Sequence, residues 1–448
     1  MRSLIVTVVL IVAARLPGLH AAPVQQRTDT AAILKQAEAA LEARRYADAA
    51  DLFKRVYSAD TSNQRAAYQI GWCYNELERF SEAIPPLQNA VRLKPSDAAA
   101  YRELGYAYRK LNRYSDSLLA YQASLKTDPD SANAQYNVGW LYNEQEKYAE
   151  AIHPLQEAVR LDPKNVDALI DLAYAYRQLA RYDDAIAAYT KAAELEPNVV
   201  GPVSEIGNIY FSYLRQYDKA VASYRRSLTL DPKDSTVQYN LGWALNELTK
   251  YQEAIAPLKE ATRLKPDYAV AFDELGYAYY KIGQNDDAIT AYTQSIKLKP
   301  DGHTPYFGIA DVYFYNLKKY PDAIAQYREG LRYKADHPTA LKNIGWAYNE
   351  MQKYDEALSP LQEAMRLLPN DALVHTELGV TYAGLGRDKD AAEAYKASIR
   401  LDPKNAQTHY NLGLSYVKLG DRAGAEQEYQ ILLTMDSEKA RNLRAHID

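Results

Sequence analysis

All four tryptophans of the chain occur in one short pattern, Gly-Trp-x-x-Asn-Glu, where x is any residue. On a helix, residues three and four positions apart are neighbours, so each indole ring would have an amide and a carboxylate beside it. A ring flanked by such groups can hold a side chain of a bound peptide or stack on a sugar ring. The tryptophans are Trp72, Trp140, Trp243 and Trp346, and the asparagines are Asn75, Asn143, Asn246 and Asn349.

The sequence around each tryptophan recurs along the chain at an interval of 34 residues, as between Gly242 and Gly276. A sustained period of this length is typical of a helix-turn-helix solenoid. If Gly242 is position 8 of its unit, Leu245 at position 11 continues an apolar stripe at helical spacing, and Leu258 at position 24 lies on a second helix. Pro266 ends that helix, because proline cannot continue it. Neither helix can bury its apolar face alone, so the units must stack.

These landmarks resemble the tetratricopeptide repeat family, which has a small residue at position 8, an aromatic residue at 11, alanine at 20, an aromatic residue or leucine at 24 and proline at 32. The resemblance covers about residues 28–437 and implies an all-α fold, a right-handed superhelix (α-solenoid) of about twelve helix-turn-helix repeats, whose first helices line a concave groove. Residues 438–448 are predicted to form a C-terminal cap helix. The position-8 residues are Ala37, Gly71, Gly105, Gly139, Ala173, Gly207, Gly242, Gly276, Ala310, Gly345, Gly379 and Gly413.

A longer period is superimposed on the first, since Trp140, Trp243 and Trp346 are spaced 103 residues apart. This interval corresponds to three units, and one unit in each block of three is a residue longer than the others. The extra residue lies before Tyr217 in one block and before Tyr320 in the next. Triplication of a three-unit block would produce the pattern, and so would selection for a repeating ligand. The sequence leaves both explanations open.

Positions 2, 5, 6, 9, 12 and 13 of the first helix share the face opposite the packing stripe, which we call the groove face because it lines the groove in the tetratricopeptide repeat family. The tryptophans lie at position 9, and position 5 adds Tyr136 and Tyr239. The alternative for these rings is packing on the first helix of the next unit. Position 6 carries asparagine in four units, at Asn137, Asn240, Asn343 and Asn411.

The position-6 asparagines resemble the asparagine ladder of the repeat domain in the O-linked N-acetylglucosamine transferase family, where such residues hold the backbone of a bound peptide. Carboxylates such as Glu103, Asp171 and Glu274 occupy the same position in other units and depart from that ladder. The alternative for position 6 is a solvated helix surface, because a charged outer face is ordinary for an amphipathic helix.

The boundaries of the units carry local signals that agree with the period. Asp234 and Asp371 follow the prolines of their units and offer side-chain oxygens to cap the next helix. Gly283, Gly386 and Gly420 lie between the two helices of a unit, where a left-handed residue turns the chain.

The net charge, the single cysteine and the absence of catalytic motifs argue against several functions. A formal charge of −5 argues against general nucleic-acid binding, which shows a basic footprint. Cys73 is the only cysteine, so an intramolecular disulfide and a thiolate metal cluster are excluded. It occupies position 10, where other units have alanine, which indicates a small buried residue. The seven histidines show no paired metal-ligand spacing, and no phosphate loop or nucleophile motif is present. We therefore expect no enzymatic activity, no metal and no cofactor.

Residues 1–22 have the layout of a secretory signal peptide, with Arg2, an apolar run from Leu4 to Ala14 and small residues at Ala21 and Ala22. That run is shorter than the ~20 residues of a spanning helix, so no membrane span is expected in the mature chain. Residues 23–29 form a short polar leader. The expected location is the periplasm or the secreted fraction.

The sequence thus predicts an exported, non-enzymatic scaffold that binds a protein or peptide segment in its groove. The alternative is a polysaccharide- or peptidoglycan-binding module that uses the position-9 tryptophans as stacking platforms. Self-association through the terminal units is a further expectation.

Overall fold

The structure is a computed structural model that describes residues 24–448, with side chains from residue 29 onward. Over this range every regular element is helical, and the helices follow one another as antiparallel pairs. The chain divides after Pro197 into two compact parts, an N-terminal part and a C-terminal part. The described helices contain no stretch long and apolar enough to cross a membrane.

The N-terminal part consists of five helix pairs, each of which corresponds to one repeat. Its helices are α1 (Val24–Glu42), α2 (Tyr46–Ala59), α3 (Gln64–Glu76), α4 (Phe80–Leu93), α5 (Ala98–Lys110), α6 (Tyr114–Thr127), α7 (Ala132–Glu144), α8 (Tyr148–Leu161), α9 (Val166–Gln178) and α10 (Tyr182–Leu195).

The C-terminal part has seven helix pairs and a final single helix. Its helices are α11 (Val200–Ser212), α12 (Tyr217–Leu230), α13 (Ser235–Glu247), α14 (Tyr251–Leu264), α15 (Ala269–Lys281), α16 (Asn285–Leu298), α17 (Thr304–Asp311), α18 (Tyr320–Tyr333), α19 (Pro338–Glu350), α20 (Tyr354–Leu367), α21 (Ala372–Gly384), α22 (Asp388–Leu401), α23 (Ala406–Leu419), α24 (Arg422–Met435) and α25 (Ser437–Ile447).

The predicted signal peptide, residues 1–22, lies outside the described residues. Helix α1 begins at Val24, so the stretch predicted as a polar leader is helical from that residue onward. At the other end, α25 occupies the place expected for a cap helix, and it buries Ala440, Leu443 and Ile447. These three residues cover the apolar side of the last repeat.

Close approach of the two helices in a pair requires the small residue at position 8. A Cβ atom built on Gly242 would lie 2.4 Å from Leu258 Cγ, which belongs to the second helix of the same repeat. Leu258 is fully buried, and so are Ala254 and Ala261 on the same helix. The position-8 glycine therefore fixes the spacing at which the two apolar faces meet.

Each pair turns through one residue in the left-handed region, which three glycines occupy as predicted: Gly283, Gly386 and Gly420 have φ values of 79°, 72° and 73°. The other repeats place a residue with a side chain there, at a cost of about 1 kcal/mol or more each. These residues are Arg44, Glu78, Asn112, Glu146, Ala180, Arg215, Thr249, Lys318 and Gln352.

The predicted caps are also present. The Asp234 carboxylate accepts hydrogen bonds from the backbone N–H groups of Thr236 and Val237. The Asp371 carboxylate does the same for Leu373 and Val374. Both first helices thus begin where the sequence indicates.

The longer unit of each three-unit block accommodates its extra residue at the end of its first helix. In the copy that contains Tyr320, residues Val312–Asn316 form a π-helical segment that continues α17, and the Leu317 N–H donates to the Val312 carbonyl. A π-helical turn holds one more residue than an α-helical turn and is frequent at functional sites. Here it brings Tyr315 to the wall of the cavity described below.

Candidate functional site

The tryptophans of the N-terminal part are half-buried and pack on the repeat before their own. Trp72 meets Tyr46 of α2 edge to face, with ring centroids 5.5 Å apart. Trp140 meets Tyr114 of α6 in the same way at 5.6 Å, and the Arg109 guanidinium lies 4.9 Å from its ring centroid. Packing on the next repeat, the alternative expected from the sequence, is therefore replaced by packing on the preceding one.

The two tryptophans of the C-terminal part follow the same rule with phenylalanine partners. Trp243 contacts Phe211 at 4.5 Å between ring centroids, and Trp346 contacts Phe314 at 5.1 Å. The Trp346 Nε1–H donates to Glu350 Oε1 at 3.0 Å, so this ring does have a carboxylate beside it. All four rings are components of the contact between repeats.

The position-12 asparagines join consecutive repeats. Asn246 Nδ2 donates to the Glu274 carbonyl oxygen at 3.1 Å and to its Oε2 at 2.8 Å. Asn246 is 4% exposed, so this amide is committed to the protein interior. The corresponding pairs are Asn75 with Glu103, Asn349 with Glu377, and Asn143 with the backbone carbonyl of Asp171.

Asn143, Asn246 and Asn349, predicted to lie at the ligand groove, donate their Nδ2–H groups to the next repeat. A buried amide must find hydrogen-bond partners inside the protein, and the carboxylate at position 6 of the next repeat supplies one. Asn349 is satisfied at both ends, because its Oδ1 also accepts from Thr381 Oγ1 at 2.8 Å. The Oδ1 atoms of the other position-12 asparagines are buried without a partner.

The position-6 asparagines do not form a continuous ladder. Asn343 is fully buried and donates to the Tyr327 hydroxyl at 2.8 Å. Asn137 is 4% exposed and donates to the Asn133 carbonyl of its own helix at 2.8 Å. The amide groups of these two residues thus donate inside the protein, and a role in holding a peptide backbone stays a prediction.

The other two position-6 asparagines are half-buried. Asn240 donates to Asn208 Oδ1 at 3.2 Å, and Asn411 accepts from Gln407 Nε2 at 2.9 Å. Their side chains reach the surface of separate repeats and do not act together.

The position-5 tyrosines are also partly internal. The Tyr136 hydroxyl is hydrogen-bonded to the Asp171 carboxylate, and burial together with that charge raises the pKa of Tyr136 above its usual range. The Tyr239 ring lies 5.8 Å from the Trp243 ring and 5.0 Å from the Tyr268 ring, between centroids. Both tyrosines contribute to the contact between repeats.

The C-terminal part contains a cavity of about 760 Å³ at the first helices α13, α15 and α17. We call it the acidic cavity, because four carboxylates border it with one lysine. Of the predicted site residues within the C-terminal part, Asn246 alone borders it. The carboxylates are Glu247, Asp273, Glu274 and Asp311, and the tyrosines are Tyr251, Tyr277, Tyr280, Tyr292 and Tyr315.

A chain of hydrogen bonds fixes one wall of the acidic cavity. The Tyr315 hydroxyl donates to Asn343 Oδ1 at 3.3 Å, and Asn343 Nδ2 donates to the Tyr327 hydroxyl at 2.8 Å. The Tyr327 hydroxyl in turn donates to Asp311 Oδ1 at 2.5 Å. Burial raises the pKa of the Asp311 carboxyl, although this last hydrogen bond opposes the shift. Asp311 and Tyr315 are thus held in fixed positions.

Asp273 and Glu274 are the other desolvated carboxylates of the cavity. Burial raises the pKa of Glu274 to about 7, against the opposing effect of the Asn246 amide. Burial raises the pKa of Asp273 to about 6, and a hydrogen bond from Ser295 opposes it. The Asp273 Oδ1 atom is buried without a hydrogen-bond partner. When these carboxyls are ionised, the cavity carries negative charge that Lys281, the one lysine of its lining, only partly neutralises.

A glycine makes room for the aromatic floor of the cavity. Gly308 occupies position 6 of its repeat, and a Cβ atom built on it would lie 2.3 Å from the Tyr292 ring. Tyr292 is 3% exposed and reaches this point from α16. Any side chain at position 308 would therefore displace the ring.

No metal centre or reactive thiol is present in the described part of the chain. Residues 29–448 contain no group of three histidine, cysteine, aspartate or glutamate side chains close enough to hold a metal ion. Cys73 is fully buried, and burial raises the pKa of its thiol to about 12. Its position agrees with a packing role.

The residues that sequence reasoning missed are Asp273, Tyr280, Gly308, Asp311 and Tyr315. Each departs from its counterpart one 103-residue block earlier. Those counterparts are Ile170, Arg177, Glu205, Asn208 and Ser212. A comparison of the blocks shows each of these five departures among other differences, so the sequence carries a signal for them but does not single them out.

Comparisons with known proteins place the repeats in a family. A tetratricopeptide repeat model matches residues 34–98, 102–166, 209–269 and 310–372, which together are more than half of the chain. Further tetratricopeptide repeat models match residues 142–200, 276–316, 382–420 and 406–439. A comparison with curated protein sequences finds none that matches.

Several solved structures are similar to the chain. The Cut9–Hcn1 hetero-tetramer of the APC/C is 16% identical, with 93% of this chain and 96% of that chain covered and a TM-score of 0.41. YrrB, described as a tetratricopeptide repeat protein with an unusual peptide-binding site, is 23% identical over 41% of this chain and 95% of its own, with a TM-score of 0.38. MamA is 23% identical over 38% and 92%, with a TM-score of 0.36. By the span of the family models and the paired helices that fill both parts, the chain belongs to the tetratricopeptide repeat family.

Proposed function

We propose that the protein is a non-enzymatic interaction scaffold that holds a segment of a partner protein at the acidic cavity of its C-terminal part. Membership of the tetratricopeptide repeat family supports the general function, a scaffold for protein–protein interaction. The observation that carries the specific proposal is the cavity itself. Its volume of about 760 Å³ lies in the range of ligand pockets, and it opens on the first helices.

The lining of the cavity supports a peptide ligand. Tyrosine supplies a large, rigid contact area together with a hydroxyl, and this combination is favoured at protein interfaces. Tyr277 is 37% exposed, so its ring is accessible at the cavity. The hydrogen-bond chain that ends at Asp311 holds the polar groups in place, which reduces the entropy cost of binding.

The contacts of the tryptophans favour a peptide ligand over a polysaccharide. Stacking on a sugar requires an accessible ring face. Trp140 has the Arg109 guanidinium over its ring, and Trp243 lies between Phe211 and Tyr239. These rings stabilise the contact between repeats. Their contacts therefore support the polysaccharide-binding function less than the peptide-binding function.

We also propose that the protein is exported, on the basis of the signal-peptide layout of residues 1–22. Self-association through the terminal repeats stays a prediction, which light scattering of the purified chain would test.

The proposal is tested by blocking the cavity with a bulky side chain. The wild type and the variants are used as bait in affinity purification from the exported fraction, and the captured proteins are identified. Thr304 borders the cavity and is exposed, so Thr304→Trp fills the opening without disturbing the core. Thr229 is an exposed threonine on α12 away from the cavity, and Thr229→Trp is the matched control. We expect Thr304→Trp to lose at least one protein that the wild type and the control retain. Capture of the same proteins by a correctly folded Thr304→Trp variant would contradict the proposal.

A further inference from the structure

We propose that the acidic cavity accepts a cationic side chain, lysine or arginine, of the bound segment; this inference rests on the proposed function and specifies its ligand. The chemistry it assigns is an ammonium or guanidinium group placed among carboxylates and tyrosine rings. Three kinds of observation carry it: the local origin of the negative charge, the geometry of the rings and the incomplete neutralisation of a buried carboxylate.

Two of the four carboxylates of the cavity are particular to this block of the sequence, whereas Glu247 and Glu274 have acidic counterparts at Glu144 and Asp171. Asp273 and Asp311 border the cavity, whereas the residues one 103-residue period earlier are Ile170 and Asn208. A plain copy of the earlier block would have placed an apolar and a neutral residue there. The two carboxylates thus add negative charge that the earlier block lacks at these positions.

The tyrosine rings of the cavity already bind a cation from the chain itself. The Lys281 ammonium lies 5.2 Å from the centroid of the Tyr277 ring and 5.1 Å from that of the Tyr280 ring. A cation at this distance from an aromatic face is attracted by the ring quadrupole. Lys281 is exposed and can move away, so a ligand cation can take the same surface.

Asp273 gives the cavity a charge that lacks a full set of partners. Its carboxylate accepts from Ser295, while the Oδ1 atom is buried with no hydrogen-bond partner in the described structure. Desolvation raises its pKa to about 6, with Lys299 as a weak opposing charge. A desolvated carboxylate favours a nearby cation more strongly than a solvated one does. Occupation by lysine or arginine would therefore stabilise the ionised form.

The titratable groups that face the cavity determine how binding depends on pH. The carboxylates come from α13, α15 and α17, as Glu247, Asp273 with Glu274, and Asp311, and they are opposed by Lys281 and, at its edge, His303 and His337. Burial lowers the pKa of His337, so this ring is neutral near pH 7. Because burial raises the pKa of Glu274 to about 7 and that of Asp273 to about 6, the cavity loses negative charge as the pH falls through about 7 and then 6. Affinity for a cation is expected to fall in the same interval.

The experiment uses the full chain and short fluorescein-labelled peptides in a polarisation titration. One peptide is rich in arginine, the second has lysine at the same positions, and the third has citrulline, which matches arginine in shape but is neutral. We expect the two cationic peptides to bind and the citrulline peptide to bind at least about tenfold more weakly. The comparison needs no variant, so misfolding cannot affect its outcome.

Two double variants locate the effect. Asp273→Asn with Asp311→Asn removes two charges from the cavity and keeps the shape of the side chains, and we expect about a tenfold loss of affinity for the cationic peptides. Asp267→Asn with Asp286→Asn removes the same formal charge from exposed residues that do not border the cavity, and it should leave the affinity unchanged.

Three results would overturn the inference: no binding of the cationic peptides, equal binding of the citrulline peptide, or an equal loss of affinity in the two double variants. Any of them leaves the proposed function intact if Thr304→Trp still loses a captured protein. If Thr304→Trp captures every protein that the wild type captures, the proposed function itself fails.

Discussion

Asn246 Nδ2 donates to both the carbonyl oxygen and the carboxylate of Glu274, which lies 28 residues later in the next repeat. The bond joins two polar residues of neighbouring first helices, at positions where solvent or a ligand was expected. Polar residues of the groove face thus join neighbouring repeats, and Asn246 and Glu274 do so at the border of the acidic cavity.

Asn246→Ala should weaken the contact between α13 and α15. Removal of the amide leaves the buried Glu274 carboxylate without its donor, and the expected loss is about 2–3 kcal/mol. Because repeat proteins open locally, the measurement is amide hydrogen exchange of α13 and α15. Asn143→Ala serves as the comparison and should cost less, since Asn143 donates to a backbone carbonyl. Unchanged exchange in α15 of Asn246→Ala would contradict the role of the bond.

The stability of the C-terminal part should fall as the pH rises from about 5 to 7. Burial raises the pKa of Glu274 from 4.5 to about 7, so the folded state binds a proton that the unfolded state has already lost in this interval. The stabilising contribution of the protonated form is complete below pH 4.5 and is lost as the pH passes 7. A carbon-13 titration of the glutamate carboxyls measures the pKa directly. Glu274→Gln should make the stability of the C-terminal part less dependent on pH. A measured pKa near 4.5 for the Glu274 carboxyl would contradict the prediction.

Gly242→Ala should destabilise its repeat, whereas Gly201→Ala should not. The new Cβ atom at position 242 would lie 2.4 Å from Leu258 Cγ, while a Cβ atom at position 201 meets nothing within 4 Å. We expect a loss of about 1–3 kcal/mol from overpacking at Gly242 and a much smaller effect at Gly201, where Pro202 disfavours a preceding helical residue with a Cβ atom and so offsets the gain in helix propensity. Hydrogen exchange of α13 and α11 provides the two values. Equal effects at the two glycines would contradict the close approach.

Thr381→Val should destabilise the contact between α19 and α21. It removes the hydroxyl that donates to Asn349 Oδ1 and leaves a buried acceptor unsatisfied, at a cost of about 1–3 kcal/mol. The counterpart of Thr381 one block earlier is Ala278, and there the Asn246 Oδ1 atom is buried without a partner. Ala278→Ser should therefore gain up to about 1 kcal/mol. In thermal unfolding, Thr381→Val should lower the melting temperature and Ala278→Ser should raise it. Shifts in the same direction would contradict the pairing of this hydroxyl with the asparagine.

The sequence predicted the fold well because the repeat is defined by local rules. The 34-residue period, the small residue at Gly242 and the capping aspartate at Asp234 all act within one helix pair, and the structure contains each feature where it was expected. The left-handed glycines were predicted for the same reason. Residues such as Arg44 and Thr249 in the same conformation were missed, because their side chains give no local signal for it.

The candidate site was predicted poorly because its geometry depends on contacts between repeats. Whether Asn246 faces a ligand or Glu274 is decided by the angle at which neighbouring first helices stack, and a periodic pattern does not specify that angle. The tryptophans were selected because they repeat, whereas Asp273, Gly308 and Asp311 at the cavity do not repeat. Asp273 and Gly308 carried that signal as departures from the 103-residue period.

The central claim, that a partner segment is held at the acidic cavity, is tested most directly by crosslinking from a residue that borders it. Replacing Tyr277 with p-benzoylphenylalanine keeps an aromatic ring at the cavity, and the same replacement of Tyr213, an exposed tyrosine of the C-terminal part that does not border it, is the control. Irradiation of the exported fraction should give a discrete crosslinked partner from position 277 and none from position 213. The account is contradicted if position 277 gives no crosslink while the wild-type chain still captures that partner.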